Sequence, residues 1–308
     1  MSDESVSRYE PGSRPWRPDW PVEVDLHLHT TASDGTLSPT ALIQQILETT
    51  LRTVAITDHD STEGIDEAMA AAGDGQRLVV IPGIEFGSEI DESEVHLIGL
   101  FVDHRSPELQ SALERFRQQR IDAAMEMVGK LNAMGMSITW ERVSELATGA
   151  VGRPHIARAM LEKGYVASIP EAFDRYIGND GPARVSRPKF TPVEALGIVH
   201  AAGGVGVVAH PRTVNHLEDV LPPLVEAGLT GIEVYAEKYG ADHQRKYMEL
   251  AEKYALIPGG GTDYHAFGSD NEVKPGMSGP PPATARWFYE AAVKKHNGKP
   301  GFTPSRPL

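Results

Sequence analysis

Short apolar runs recur along this chain, separated by stretches whose apolar positions fall at helical spacing. The runs are "VEVDLHL", "TVAITD", "LVVIPGIEF", "EVHLIGLFV", "GVGVVAH", "GIEVY" and "LIPGGGTD". Strands alternating with helices predict an α/β fold built on a parallel sheet, barrel-like or doubly wound. Ser38-Pro39, Ser106-Pro107 and Thr191-Pro192 each place an N-cap residue before a proline at the first helical position. Between the fourth and fifth runs the rhythm breaks. Residues 105–190 read as helical throughout, opening with "SPELQSALERFRQQRIDAAMEMVGKLNAMG", which closes at Gly135. The pattern therefore predicts a core over 21–104 and 191–295, a helical insert over 105–190, a flexible arm over 1–20 and an irregular tail over 296–308.

Composition narrows the function. A formal charge of −14 over 308 residues argues against a general binder of nucleic acid or membrane surfaces. The absence of cysteine excludes disulfides and thiolate metal sites, and suits a reducing cytoplasm. The N-terminal stretch has no apolar core of a secretory signal, and no run is long enough to span a membrane. Charge is uneven, however. The insert carries 13 Lys and Arg against 10 Asp and Glu, so a locally basic segment sits inside an acidic protein. Such a segment suits an anionic substrate, or is simply a solvated helical surface.

The ends of the apolar runs hold the candidate chemistry. The first ends with His27 and His29, and Asp34 follows in the next loop. The second ends at His59, the third reaches Glu85, the fourth carries His96, the fifth ends at His210, and the last offers Asp263 and His265. Residues i and i+2 of a strand share a face with α-carbons about 7 Å apart, so two imidazoles so placed can converge on one ion. On that spacing Asp25 shares the histidines' face as an orienting partner, while Leu26 and Leu28 face the surrounding helices. A lone histidine is more often a packing residue than a ligand. Nine such groups at strand ends are not, because burying them unpaired costs several kcal/mol each. Ligation by nitrogen and oxygen suits Mn, Fe or Zn. Nine ligands suit three divalent ions, with Glu85 as a bridge. Three dications against three carboxylates would leave the pocket near +3, which favours a phosphate group.

Other signals fail. "GGVGVV" precedes its strand and "PGGGTDYH" leads into candidate ligands, so neither is a phosphate-cradling loop. No Walker loop, nucleophile elbow or zinc-finger spacing is found.

Taken in order, "DLHLHTTASDG", "ITDHD", "GIE", "VHLIG", "AHP" and "TDYH" resemble the PHP (polymerase and histidinol phosphatase) superfamily over residues 22 to about 270. The resemblance implies a distorted (β/α)7 barrel with the helical insert covering the metal face. It implies one ion on His27, His29, Glu85 and Asp263, a second on Glu85, His96 and His210, and a third on Asp34, His59 and His265. The insert resembles that of standalone members acting on nucleotides, including 3′,5′-bisphosphonucleotides and RNA 5′ ends. Within it, "VGRPHIAR" is similar to an Arg-x-His pair in such members. Arg153 would then fork onto phosphate oxygens, and His155 would bind phosphate or protonate the leaving oxygen. His265 is the other candidate proton donor. Arg117, Arg120, Arg187 and Lys189 read as surface residues rather than site residues. The expected activity is hydrolysis of a nucleotide phosphomonoester by a hydroxide held between ions. The expected partner is a small phosphorylated substrate, with no membrane and no stable duplex nucleic acid. Rival readings are a histidinol-phosphate phosphatase, a metal-dependent amidohydrolase and a non-catalytic nucleotide- or RNA-binding regulator.

Overall fold

The structure, a computed structural model, describes residues 21–90, 93–147, 151–178, 180–185, 190–236, 240–268 and 272–308. The expected arm at 1–20, and Arg187 and Lys189, lie outside the described residues. Seven strands lie side by side in chain order: β1 (Val24–Asp25), β2 (Thr53–Ile56), β3 (Val79–Ile90), β4 (Ser93–Leu100), β5 (Val205–Val208), β6 (Gly231–Glu233) and β7 (Ile257–Gly259). Each coincides with one of the apolar runs.

The expectation of a parallel sheet needs correction. β4 runs antiparallel to both β3 and β5, while the remaining neighbours pair parallel. Only two residues separate β3 from β4, and so short a link can reverse a chain but cannot carry it back for a parallel pairing. His96 therefore stands in the first half of a reversed strand, opposite Gly87, rather than at a C-terminal strand end.

The sheet curls until its two edges meet beyond the regular strands. Leu26 N donates to Gly260 O (3.2 Å), Asp263 N to His27 O (2.9 Å) and His29 N to Tyr264 O (3.0 Å). A β-carbon on Gly261 would lie 2.5 Å from His27 N, so this closure requires glycine. Because regular pairing of β1 ends at Asp25, strict alternation is lost there. Leu28 packs outward with Leu42, Ile43 and Ile46, as expected. Leu26 instead joins Ile98, Leu100, Val207 and Phe288 in a different cluster.

Helices α1 (Pro39–Leu47) and α2 (Ile65–Ala72) follow the first two strands. The insert comprises α3 (Pro107–Ala133), α4 (Trp140–Leu146), α5 (Arg153–Glu162), α6 (Ile169–Ala172) and a π turn at Phe173–Ile177. Then come α7 (Pro192–Ala201), α8 (Leu217–Glu226), α9 (Ala241–Lys253) and α10 (Thr284–Lys295), whose Phe288 is the one packed with Leu26. The expected caps form: Ser38, Ser106 and Thr191 accept from the backbone N–H of Ala41, Leu109 and Glu194. Each such cap contributes about 1 kcal/mol.

The long helix α3 belongs to two cores. Leu109, Leu113 and Phe116 pack with Leu196 and Val199 of α7. About two to four turns on, Ala124, Met127 and Leu131 pack with Ile156 and Met160 of α5. Shared packing of this kind fixes α5 relative to the sheet without a separate hinge. The tail from 296 onward has no helix or strand but is tied down, with Gly301 N donating to Gly203 O (2.9 Å) and Arg306 Nη1 to Gln76 O (2.6 Å). Among the described residues no helix is long and apolar enough to cross a membrane.

Candidate metal centre

All nine residues singled out by strand position converge at one end of the curled sheet. His27 Nε2 and His29 Nε2 face each other at 3.0 Å. Glu85 Oε2 lies 3.2 Å from each, and Asp263 Oδ1 lies 3.2 and 3.1 Å away. A tetrahedral ion with bonds of about 2.0–2.1 Å needs ligand separations of about 3.3–3.4 Å. These five separations come within a few tenths of an ångström of that figure.

Glu85 is central. Its other oxygen, Oε1, is 2.8 Å from His96 Nδ1 and 3.0 Å from His210 Nε2, while Oε2 is also 3.2 Å from His59 Nδ1. The hairpin makes this possible. Glu85 and Gly87 share a face of β3, and Gly87 sits opposite His96, whose ring lies beside it on that face. On the other side, Asp34 lies 3.3 Å from His265 Nε2, 3.9 Å from His59 Nε2 and 3.8 Å from His29 Nδ1. His29 thus stands between the first and third expected groups, and His59 between the third and second. The "DYH" pair also divides: Asp263, with φ +52°, turns to His27 and His29, and His265 turns to Asp34.

The electrostatics follow from burial. Burial alone pulls His29 down, but hydrogen bonds and charges of Asp263 and Glu85 outweigh it and hold its pKa at about 10. Burial against Glu85 and Glu94 likewise leaves His96 raised to about 9. His59 goes the other way, because burial dominates and lowers it to about 3. Glu85 resists burial through His59, His27 and His96 and stays well below the usual carboxylate range.

Do these residues fit divalent ions? The donor set is six imidazoles and three carboxylates, with no thiolate, the set that Mn, Fe or Zn accept. Two buried atoms, His29 Nδ1 and His59 Nδ1, have no hydrogen-bond partner. His59 Nδ1 is close to Glu85 Oε2, yet without hydrogen-bond geometry. Buried polar atoms in folded proteins are paired. Ring nitrogens and carboxylate oxygens crowded this closely, with two nitrogens left unpaired, suit shared cations, and the residues fit.

Two supporting residues, Glu233 and Asp58, were not foreseen, and a third, Asp25, was expected to orient the imidazoles but does something else. Glu233 Oε1 accepts from or pairs with His27 Nδ1 (3.0 Å), and its Oε2 takes the backbone N–H of His210 (2.6 Å), so one buried carboxylate orients two candidate ligands. The signal was a charged residue inside the apolar run "GIEVY". Asp58, the first aspartate of "TDHD", accepts from Thr30 N, Thr30 Oγ1 and Ser33 Oγ at 2.6–2.7 Å and pins the loop that carries Asp34. Asp25 touches neither imidazole ring. It accepts from His27 N (3.3 Å), Thr262 N (3.0 Å) and Thr262 Oγ1 (2.7 Å), bracing backbones where the sheet closes. Glu233→Gln is expected to weaken Mn²⁺ affinity about 10- to 100-fold, the usual effect of removing a ligand's partner. Direct Mn²⁺ titration checks this, and unchanged affinity would show that Glu233 is only a packing group.

The insert residues divide. Arg153, at the start of α5, lines a cavity beside Asp34, His59 and His96. His155 is buried, and its Nδ1 accepts from Gly152 N (3.0 Å), so it caps the helix, and it does not line that cavity. Arg117 pairs with Glu63 and Glu114 at the surface, as expected. Arg120 does not: it is largely buried, donates from Nε to Asp60 Oδ2 (2.6 Å) and lines the cavity. Its place on the inward side of α3 was hidden by the polar run "RFRQQR" around it.

A curled α/β sheet gathering imidazoles and carboxylates at its mouth defines the class: a metal-dependent hydrolase. Comparison with known proteins makes this specific. The PHP domain model matches residues 25–169. A 3′,5′-nucleoside bisphosphate phosphatase of Chromobacterium violaceum is 31% identical over 253 residues, covering 80% of this chain and 88% of the relative. A 5′-3′ exoribonuclease of Haemophilus influenzae is 31% identical over 245 residues, covering 78% and 89%. Among solved structures, one from Bifidobacterium adolescentis classed as a metal-dependent phosphoesterase superimposes with a TM-score of 0.79 at 28% identity, over 90% of this chain and 98% of that one. The chain belongs to the PHP-domain family and is a metal-dependent phosphoester hydrolase.

Proposed function

We propose that this protein hydrolyses a phosphomonoester of a nucleotide, either a 3′,5′-bisphosphonucleotide, a nucleoside monophosphate or the 5′ end of a short RNA. The observation that carries the reading is Glu85, whose two oxygens lie within 3.2 Å of five imidazoles, beside a cavity lined by Arg120, Arg153 and Arg184. In this reading three divalent ions sit on His27, His29, Glu85 and Asp263, on Glu85, His96 and His210, and on Asp34, His59 and His265. Bound there, such ions lower the pKa of water and neutralise phosphoryl oxygens. The relatives named for nucleotide and RNA substrates support the substrate class. The fold is read as a distorted (β/α)7 barrel over 21–104 and 191–295, with the insert over 105–190 covering the metal face.

The chain's own residues have separate tasks. Arg153 forks onto phosphoryl oxygens with its guanidinium. His155 accepts a backbone N–H at Nδ1, so in its neutral form Nε2 carries the proton and can donate to a phosphate or leaving oxygen. His265 is the alternative donor. Glu233 and Asp58 hold ligands and loop in place.

A screen for phosphate release across nucleotides, histidinol phosphate and RNA 5′ ends, with metal content measured alongside, tests the reading. Turnover of a nucleotide substrate with Mn²⁺ present is the expected result. Preference for histidinol phosphate, amide hydrolysis without phosphate release, or no turnover by metal-loaded protein would each replace it with a rival.

A further inference from the structure

The β3–β4 hairpin carries two acids beyond the candidate ligands. Glu85, Gly87 and Glu89 share one face of β3, and Ile98, His96 and Glu94 lie opposite them on β4. Glu89 and Glu94 therefore face each other directly, two residues past Gly87 and His96 toward the end of the hairpin. Like charges so placed repel. Each is met by an arginine of the insert: Glu94 Oε2 lies 3.7 Å from Arg153 Nη2, and Glu89 Oε2 lies 4.0 Å from Arg184 Nη2. Glu94 also reaches a candidate ligand, with Oε1 3.5 Å from His96 Nε2. One carboxylate thus spans from the metal centre to the insert.

The third arginine lining the cavity shows what a committed pair looks like. Arg120 donates from Nε to Asp60 Oδ2 at 2.6 Å, and both side chains are largely buried. The contacts of Arg153 with Glu94 and of Arg184 with Glu89 are longer than a hydrogen bond and partly exposed. A pair at that distance rests on charge without fixed donor geometry, so another anion can take the carboxylate's place. Arg153 also has a support that does not depend on its anion, because its Cζ lies 5.6 Å from the centre of the Phe173 ring. Glu94, Arg153 and Phe173 all line the cavity beside Asp34 and His59. Phosphate bound among divalent ions and guanidinium groups would leave slowly unless something competed for those groups.

We propose that Glu94 is a positioning residue with two partners. It holds Arg153 while the cavity is empty, yields the guanidinium to phosphoryl oxygens, takes it back as phosphate departs, and throughout orients His96 through Nε2. The part played by Arg153 rests on the phosphoesterase reading. Two effects of opposite sign follow. A carboxylate on the outer nitrogen of a ligating histidine strengthens metal binding. A carboxylate competing for a guanidinium weakens the binding of other anions to it.

Glu94→Gln keeps the shape of the side chain and removes its charge. Calorimetric titration with Mn²⁺ is expected to show affinity about tenfold weaker than wild type. With Mn²⁺ held at saturation, titration with inorganic phosphate is expected to show binding about three- to fivefold tighter, the size of a partly exposed ion pair. Damage to the fold would weaken both, so the opposite signs separate the two causes. Arg153→Gln and the double variant Glu94→Gln/Arg153→Gln complete a cycle. Without Arg153, the gain in phosphate affinity from Glu94→Gln should fall below about twofold. Glu89→Gln removes the facing charge without touching His96, and its Mn²⁺ affinity should stay within about twofold of wild type. Phosphate binding that is unchanged or weaker in Glu94→Gln, an equal gain with and without Arg153, or a loss of Mn²⁺ affinity as large in Glu89→Gln would overturn the proposal. None of these titrations needs turnover. If no nucleotide releases phosphate, the hydrolytic reading fails while the cycle still decides the role of Glu94; normal turnover with no coupling in the cycle sinks Glu94 alone.

Discussion

Glu85→Gln is expected to remove activity and metal together. The substitution keeps size and one oxygen but loses the charge that faces His27, His29, His59, His96 and His210. Removing a mere partner of a metal ligand costs about 10- to 100-fold in affinity. A carboxylate touching five imidazoles is expected to exceed that, with phosphate release falling by more than about 100-fold and bound metal falling with it. His29→Ala and Asp263→Ala should behave alike, since both meet Glu85 in the first group of ligands or across it. Kinetics and elemental analysis on the same samples check this. Near-normal turnover in any of the three would contradict the assignment of the centre.

Stripping the ions with a chelator is expected to abolish turnover reversibly and to expose a pH dependence of definite sign. Counting only the protein's groups, His29 is raised to about 10 and His96 to about 9, both above the unfolded value. Such raised pKa values stabilise the stripped protein fully below about pH 6.5, and that contribution is lost as pH rises through 9 and 10. His59, lowered to about 3, is neutral when folded, so it costs stability as pH falls below about 6.5 and adds almost nothing to the slope between pH 8 and 10. Ion binding needs neutral imidazoles, so it must displace the protons on His29 and His96. Uptake of Mn²⁺ at pH 8 should therefore release protons, and the gap in Tm between loaded and stripped protein should widen from pH 7 to pH 9. Indicator-dye titration and calorimetry read these two quantities. A gap that narrows over this range would mean that His29 and His96 carry no protons for the metal to displace.

Both expectations concern residues that local spacing had already marked. His27 and His29 were legible as an i, i+2 pair, and their Nε2 atoms do converge. Glu85 was legible as a bridge because it ends an apolar run yet cannot be buried alone. The caps at Ser38, Ser106 and Thr191 were legible because they depend on the next three residues only. Arg120 was not. Along the chain it is one more charge among polar neighbours, and only the packing of α3 against two cores turns it inward to Asp60.

What this sequence determined by itself was the supply of chemistry: seven apolar runs, nine nitrogen and oxygen donors at their ends, and an insert richer in cations than the rest. Those features are periodic or local, and side-chain alternation and burial cost make them readable. What the tertiary structure decided was which atoms meet. The reversal of β4 brings His96 to Glu85, and Glu233 reaches His27 across 206 positions of chain. Contacts of that kind depend on how the sheet curls and closes, which no spacing along the chain records.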